Sequence, residues 1–326
     1  MLCGKSLILA TKPYTEESRT KSWLYAITTL ALLLVSLSAI ILVPYLAVKI
    51  LSSIVSGLLV VRFFVIYHDY EHHSILQRSV TANIIMTIFG IYILAPQSIW
   101  KRSHDYHHNH NSKLFTADIG SFPIVTKRKF FTMSKTNRMV YLAIRHPLNI
   151  LFGYITIFAV GMCVRSFISN PRKHADSLIA LVIHLIGSVL IIHYLGWLIW
   201  VLFVFVPFFI ACGFGSYLFY AQHNFPSVSF SERTDWHYET AALESSSYMK
   251  MNRVMAWFTA NIGYHHIHHL NARIPFYRLP EIMKALPELQ NAKTTSLDPK
   301  EIIACLKLKV WDPEKNKMVG LSRSAN

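Results

Sequence analysis

The chain is poor in charge. Asp, Glu, Lys and Arg make up only 15% of its 326 residues, against 53% hydrophobic residues. A soluble domain carries about a quarter charged residues, so this shortage points to a membrane protein. Acids are the scarcer sign, 17 against 32 basic residues, leaving a formal charge of +15 with histidine counted neutral. Such an excess can serve nucleic acid, anionic headgroups or an acidic partner. Here the basic residues flank apolar stretches instead of forming a separate basic region, which argues against nucleic acid and fits positive-inside topology. Cysteine is scarce too: Cys3, Cys163, Cys212 and Cys305 lie far apart with no C-x-x-C spacing. That excludes a zinc knuckle, an iron–sulfur cluster and a disulfide framework. No G-x-G-x-x-G is present, and Gly4-Lys5-Ser6 lacks the upstream glycine of a phosphate loop. No Glu-x-x-His pair occurs either, which removes the carboxylate-bridged di-metal bundle. Residues 1–22 contain no apolar core of a cleavable signal.

Long apolar runs are plentiful. Six stand out, at about 23–43, 45–66, 82–99, 149–168, 178–195 and 196–219; a full span needs about 20 residues. The first two meet at Pro44 and the last two near Tyr194-Leu195-Gly196, so 23–66 and 178–219 read as helical hairpins. The stretch at 82–99 is short and holds Gly90 and Pro96, which suits a re-entrant or in-plane helix. The stretch at 149–168 is flanked by Arg145 and Arg165, with Arg172 and Lys173 beyond, and reads as non-crossing. Lys127, Arg128, Lys129, Lys135 and Arg138 mark the preceding loop as cytoplasmic. The expectation is an all-α integral membrane protein, one domain over 1–326, with four transmembrane helices in two hairpins. In-plane helices and a cytoplasmic helical cap, about 67–177 and 220–326, complete it.

Histidine is present in excess. Eleven of 17 fall in three clusters: His68-Asp-Tyr-Glu-His72-His73, His104-Asp-Tyr-His107-His108-Asn-His110 and His265-His266-Ile-His268-His269. Imidazole is the commonest protein metal ligand, and ionisable residues beside a membrane mark function. On a helix, residues three or four apart share a face, while neighbours diverge by about 100°. His68, His72, His104, His107, His108, His265, His268 and His269 are therefore candidate ligands. They exceed the needs of one metal ion and suit two. An all-nitrogen set excludes calcium and magnesium and leaves iron and zinc open. His73 and His266 lie about 100° off the ligand face and His110 about 240° from His104, so these three are set aside.

His223, in Tyr220-Ala-Gln-His223-Asn-Phe225, follows the last crossing on the same side and is a candidate ninth ligand. Asp69 and Asp105 each follow a cluster histidine and are candidates to accept its distal N–H, which fixes tautomer and ring orientation. His184 and His193 read as polar contacts between helices, and His146, His174 and His237 as surface or loop residues. His68-Asp-Tyr-Glu71-His72 also spells the pattern of an inverted zinc peptidase, but that reading leaves two clusters unexplained.

Together these motifs resemble the integral-membrane fatty acid desaturases over nearly the full chain. His68-Asp69-Tyr-Glu-His72-His-Ser74 is similar to the family's H-D-x-x-H-x-S, and Trp100-Lys-Arg-Ser-His104-Asp-Tyr-His107-His108 to its W-x-x-x-H-x-x-H-H. Asn261-Ile-Gly-Tyr-His265-His-Ile-His268-His269 through Pro275 resembles the acyl-lipid, omega-6 branch. So do Phe219-Tyr-Ala-Gln-His223, Trp236-His-Tyr-Glu-Thr-Ala-Ala242 and the tail around Trp311-Asp312. His73, where relatives often carry a small residue, and the added Asn-His110-Asn depart from the pattern without removing a ligand.

The resemblance implies two non-haem iron ions, dioxygen, and a cis double bond made in a lipid-linked acyl chain that enters from the bilayer. With no haem or flavin segment, electrons come from a separate carrier of ferredoxin or cytochrome b5 type, whose acidity suits the basic loops. The same resemblance leaves a di-iron lipid or carotenoid hydroxylase or ketolase as a rival. From another class, a histidine-rich membrane metal transporter would instead carry its ligands within the crossings. The active site is expected on the cytoplasmic face, in a bacterial inner membrane in preference to the endoplasmic reticulum.

Overall fold

The computed structural model describes residues 2–114, 122–230 and 236–321. Four of its helices are long and apolar enough to cross a membrane: Arg19–Leu42, Leu46–Glu71, Ala175–Leu195 and Trp197–Ala221. They overrun the apolar stretches because helix continues into polar residues; the second span carries on through His68 to Glu71. Proline sets the first hairpin. Pro44 holds Val43 extended at φ −84° and ψ 132°, so the first span ends there. The second hairpin turns on Gly196, whose φ of +87° suits only glycine.

The two hairpins meet different surroundings. In the most apolar part of the second span 67% of residues are buried, against 6% in the third. The second span is thus the core of the bundle, and the third presents side chains such as Val182, Leu185 and Val189 outward. Polar links tie the first span to the second: Ser36 Oγ and Ser56 Oγ lie 2.8 Å apart, and Arg62 Nε donates to Thr29 Oγ1 at 3.1 Å.

Helices Val80–Tyr92 and Gln97–His110 meet at 90°, a bend that fits either a re-entrant segment or a broken span. The turn is pinned to the second span, since Tyr67 Oη donates to the Ala95 carbonyl at 2.9 Å. A Cβ on Gly90 would come within 2.9 Å of that same hydroxyl, so no side chain fits. The apolar segment expected not to cross is the shorter helix Tyr154–Ser169. It packs against the membrane bundle, with the Tyr154 hydroxyl hydrogen-bonded to His184.

Among the described residues sheet is confined to two small pairs. Tyr248–Lys250 runs parallel to Thr294–Ser296, and Val310–Asp312 antiparallel to Lys317–Val319. The first pair lies beside helix His265–Leu270, whose six residues are all buried. One hydrophobic core runs from Leu7 to Met318 through spans and cap alike.

Candidate metal centre

The nine histidines converge from four elements. His68 lies in the last turn of the second span and His72 caps its C-terminus. His104, His107 and His108 share the buried face of helix Gln97–His110 with Ile99, Trp100 and Ser103. His223 follows the fourth span, and His265, His268 and His269 lie on helix His265–Leu270. These side chains form two groups, one of His68, His72, His104, His108 and His268, the other of His107, His223, His265 and His269. Within each group the ligand atoms lie within 4.8 Å of one another.

The division differs from a single shared face. Every i, i+4 pair stays in one group, as with His68 and His72, His104 and His108, or His265 and His269. The i+3 residues, His107 and His268, go to the opposite group. Helical geometry explains this. Position i+4 lies about 40° past i and i+3 about 60° short of it, so the two diverge by about 100°.

The spacing of the inner nitrogens tests whether metals fit. His104 Nε2 lies 2.8 Å from His68 Nε2 and 3.2 Å from His108 Nε2, which in turn is 3.1 Å from His268 Nε2. In the second group His223 Nε2 lies 3.0 Å from His107 Nε2 and 2.9 Å from His265 Nε2, with His269 3.1 Å beyond. Ligands about 2.1 Å from a metal are about 3.0 Å apart at right angles and about 3.4 Å apart at tetrahedral angles. The observed spacings fit right-angled ligands. His72 Nε2 is buried without a protein partner, as a ligand-facing nitrogen would be.

Electrostatics agree with neutral, ligating imidazoles. Burial pushes His223 and the neighbouring His266 down to about 4. Burial first, and then adjacent imidazoles, hold His72, His104, His107, His108, His265, His268 and His269 well below the ordinary histidine value. A proton therefore competes poorly for these nitrogens.

Outer contacts set the rings. Asp69 Oδ1 is 3.2 Å from His68 Nδ1, while Asp69 Oδ2 accepts from Phe276 N at 2.7 Å. His223 Nδ1 donates to the Ser245 carbonyl at 3.0 Å. Trp100 stacks on His104 with ring centres 4.8 Å apart. Asp105 is turned the other way, paired with Lys101 Nζ at 3.3 Å at the surface, and does not join the ligand rings.

The set-aside histidines also have defined places. His73 is exposed at φ +57°, His110 stacks on Tyr106, and His266 Nε2 donates to the Leu289 carbonyl at 3.2 Å. His146 and His237 are exposed. His174 is not a surface residue. It is buried with Nδ1 2.9 Å from Ser98 Oγ, because Ser98 and Asp176 close over it. His193 is exposed and meets the ring of its neighbour Tyr194 edge-on, with centres 4.7 Å apart.

One buried residue that the motifs do not signal supports the second group. Arg145 donates to the Pro123 carbonyl at 2.8 Å, to Tyr220 Oη at 3.3 Å and to Asn224, the residue after His223. Asn224 in turn donates to the Cys305 carbonyl at 2.8 Å. An arginine beside an apolar stretch reads first as a topology signal; only its complete burial reveals this anchoring role.

A narrow apolar slot opens between the second and fourth spans. Val61, Phe64 and Val65 wall one side and Gly215, Leu218 and Phe219 the other, and the slot reaches His68 and His265.

Comparison with known proteins gives a consistent picture. A family profile described as fatty acid desaturase matches residues 42–297, a stretch that includes all nine histidines. A fatty acid desaturase of Bacillus subtilis is 29% identical over 281 residues, covering 85% of this chain and 78% of that protein. The sn-1 oleoyl-lipid 12-desaturase of Anabaena variabilis is 25% identical over 268 residues, covering 81% and 75%. A chloroplastic omega-6 fatty acid desaturase of Spinacia oleracea is 24% identical over 235 residues, covering 72% of this chain and 52% of that longer protein.

Proposed function

The chain belongs to the fatty acid desaturase family, and we propose that it introduces a cis double bond into a lipid-linked fatty acyl chain with dioxygen, electrons from a separate carrier and two iron ions on the nine histidines. The observation that carries this reading is the gathering of nine histidines into two groups, at which an apolar slot of about 30 Å³ ends on His68 and His265, one histidine from each group. A polar substrate would lose its hydration there without replacement, whereas a methylene chain would not.

When bound, the iron pair would supply an oxidant for two adjacent methylenes; one dioxygen, two electrons, two protons and the two hydrogens removed from the methylenes become two waters as the double bond forms. The protein's own part is positioning. Phe64, Val65 and Phe219 exclude water and align one carbon pair before the two groups. Asp69 keeps a proton on His68 Nδ1, which turns Nε2 inward.

Four crossings return the chain to its starting side, and the basic residues from Lys127 to Arg138 favour the cytoplasm for that side. We place the site on the cytoplasmic face of a bacterial inner membrane. The electron carrier is an acidic protein drawn by the basic loops, so its binding weakens as salt rises.

Expression in a host lacking polyunsaturated lipids, followed by mapping of double bonds, tests the reading. New double bonds at one position support it. Hydroxylated acyl chains would assign a hydroxylase instead, and unchanged lipids in a host supplied with a working carrier would overturn it.

A further inference from the structure

A second cavity lies beside the slot. It is open to the surface and measures about 590 Å³, within the range of small-ligand sites. Its walls are largely apolar, but unlike the slot's they carry two arginines. Arg102 and Arg165 line it together with Ser103, Ser166 and Asn149, and among the described residues no carboxylate does. Both arginines are exposed at the mouth of the cavity, and neither guanidinium makes a hydrogen bond or ion pair among the described residues. Arg102 projects from the helix that carries His104, and Arg165 follows the apolar segment Tyr154–Val164. Phe219 lines both this cavity and the slot, so the two share a wall at its ring.

We propose that this cavity binds the phosphate of the membrane phospholipid whose acyl chain occupies the slot, with Arg102 and Arg165 as its ligands. The inference rests on the acyl-lipid reading above and narrows it to lipids bearing phosphate. Two forked guanidiniums match a phosphate's oxygens, and the serine hydroxyls and Asn149 amide can serve the remaining acceptors. A headgroup held here has Phe219 in common with the slot, so the acyl chain would be led past that ring towards the histidines. An uncharged sugar headgroup would leave both arginines without a counter-charge.

Native mass spectrometry of the full-length protein tests retention directly. The probes are dioleoyl-phosphatidylglycerol, galactosyl dioleoylglycerol, oleoyl-coenzyme A and inorganic phosphate. The phospholipid should be retained at least about tenfold better than the galactolipid, a preference lost in Arg102→Gln and Arg165→Gln and partly kept in Arg165→Lys. The lysine variant guards against misfolding, since it keeps the charge. Equal retention of both lipids, or a preference that survives loss of both arginines, would overturn the proposal. So would arginine-dependent retention of oleoyl-coenzyme A or of free phosphate at the phospholipid's level. Double-bond formation on each lipid in nanodiscs is read separately. Arginine-dependent retention without double bonds would defeat the desaturase reading alone, and double bonds without any arginine dependence would defeat this inference alone.

Discussion

The five-histidine group and the four-histidine group are assembled differently. The first draws on all three clusters, and the second on two clusters plus His223, which lies outside any of them. The first is fixed by the second span through His68 and by Asp69, which bridges to Phe276 N. In the second, His107, His265 and His269 stand on helices, while His223 lies on a loop held by its own Nδ1 bond to the Ser245 carbonyl and by the bond from Ser247 N to the Gln222 carbonyl. A carboxylate orients a ligand in one case and a carbonyl in the other. The second group therefore depends on loop packing, and Arg145 and Asn224 become part of its support.

The largest effect should come from histidines that join the two groups across one helix. His107→Ala and His268→Ala are each expected to abolish double-bond formation while the protein still reaches the membrane. Lipid analysis beside membrane fractionation checks this, and full activity in His268→Ala would remove the third cluster from the site. Next, His223→Ala should lower metal content by about one ion per chain and leave the five-histidine group loaded. Loss of all metal there would mean that the groups do not bind independently.

Asp69→Asn is expected to cost about ten- to a hundredfold in metal affinity or activity through the first group. Asp105→Asn, at a surface pair with Lys101, should stay within about twofold. A pair of variants with equal losses would erase the distinction between them.

The smallest effect concerns the metal-free protein and its pH dependence. Unfolded histidine takes up a proton near pH 6.5, whereas burial holds His223 and His266 down to about 4. Above about pH 6.5 both states are neutral and stability is complete. Below it the unfolded chain binds protons that the folded protein refuses, so stability falls until about pH 4. Thermal unfolding of metal-free protein across that window should show the decline, and a flat profile would contradict buried neutral imidazoles.

Much of this was legible in the sequence, for a physical reason. Apolar length marks membrane spans and Pro44 marks a hairpin, because both act through local chemistry. The clustered histidines announce a metal site by residue type alone. Their sorting into two groups is less visible, since it depends on a divergence of about 100° between i+3 and i+4 once the helices are docked. Asp69 and Asp105 occupy equivalent positions in their clusters, yet only the first is buried against a partner. His174 and His193 depart from expectation because burial is set by what packs over a residue: Ser98, remote in sequence, pairs with His174, whereas His193 stays exposed. The basic cavity is illegible for the same cause, as Arg102 and Arg165 meet only through the fold.

The metal content of the purified full-length protein tests the central claim most directly. Elemental analysis should find about two iron ions per chain, one for each histidine group. A single metal ion per chain, or stoichiometric zinc, would contradict it.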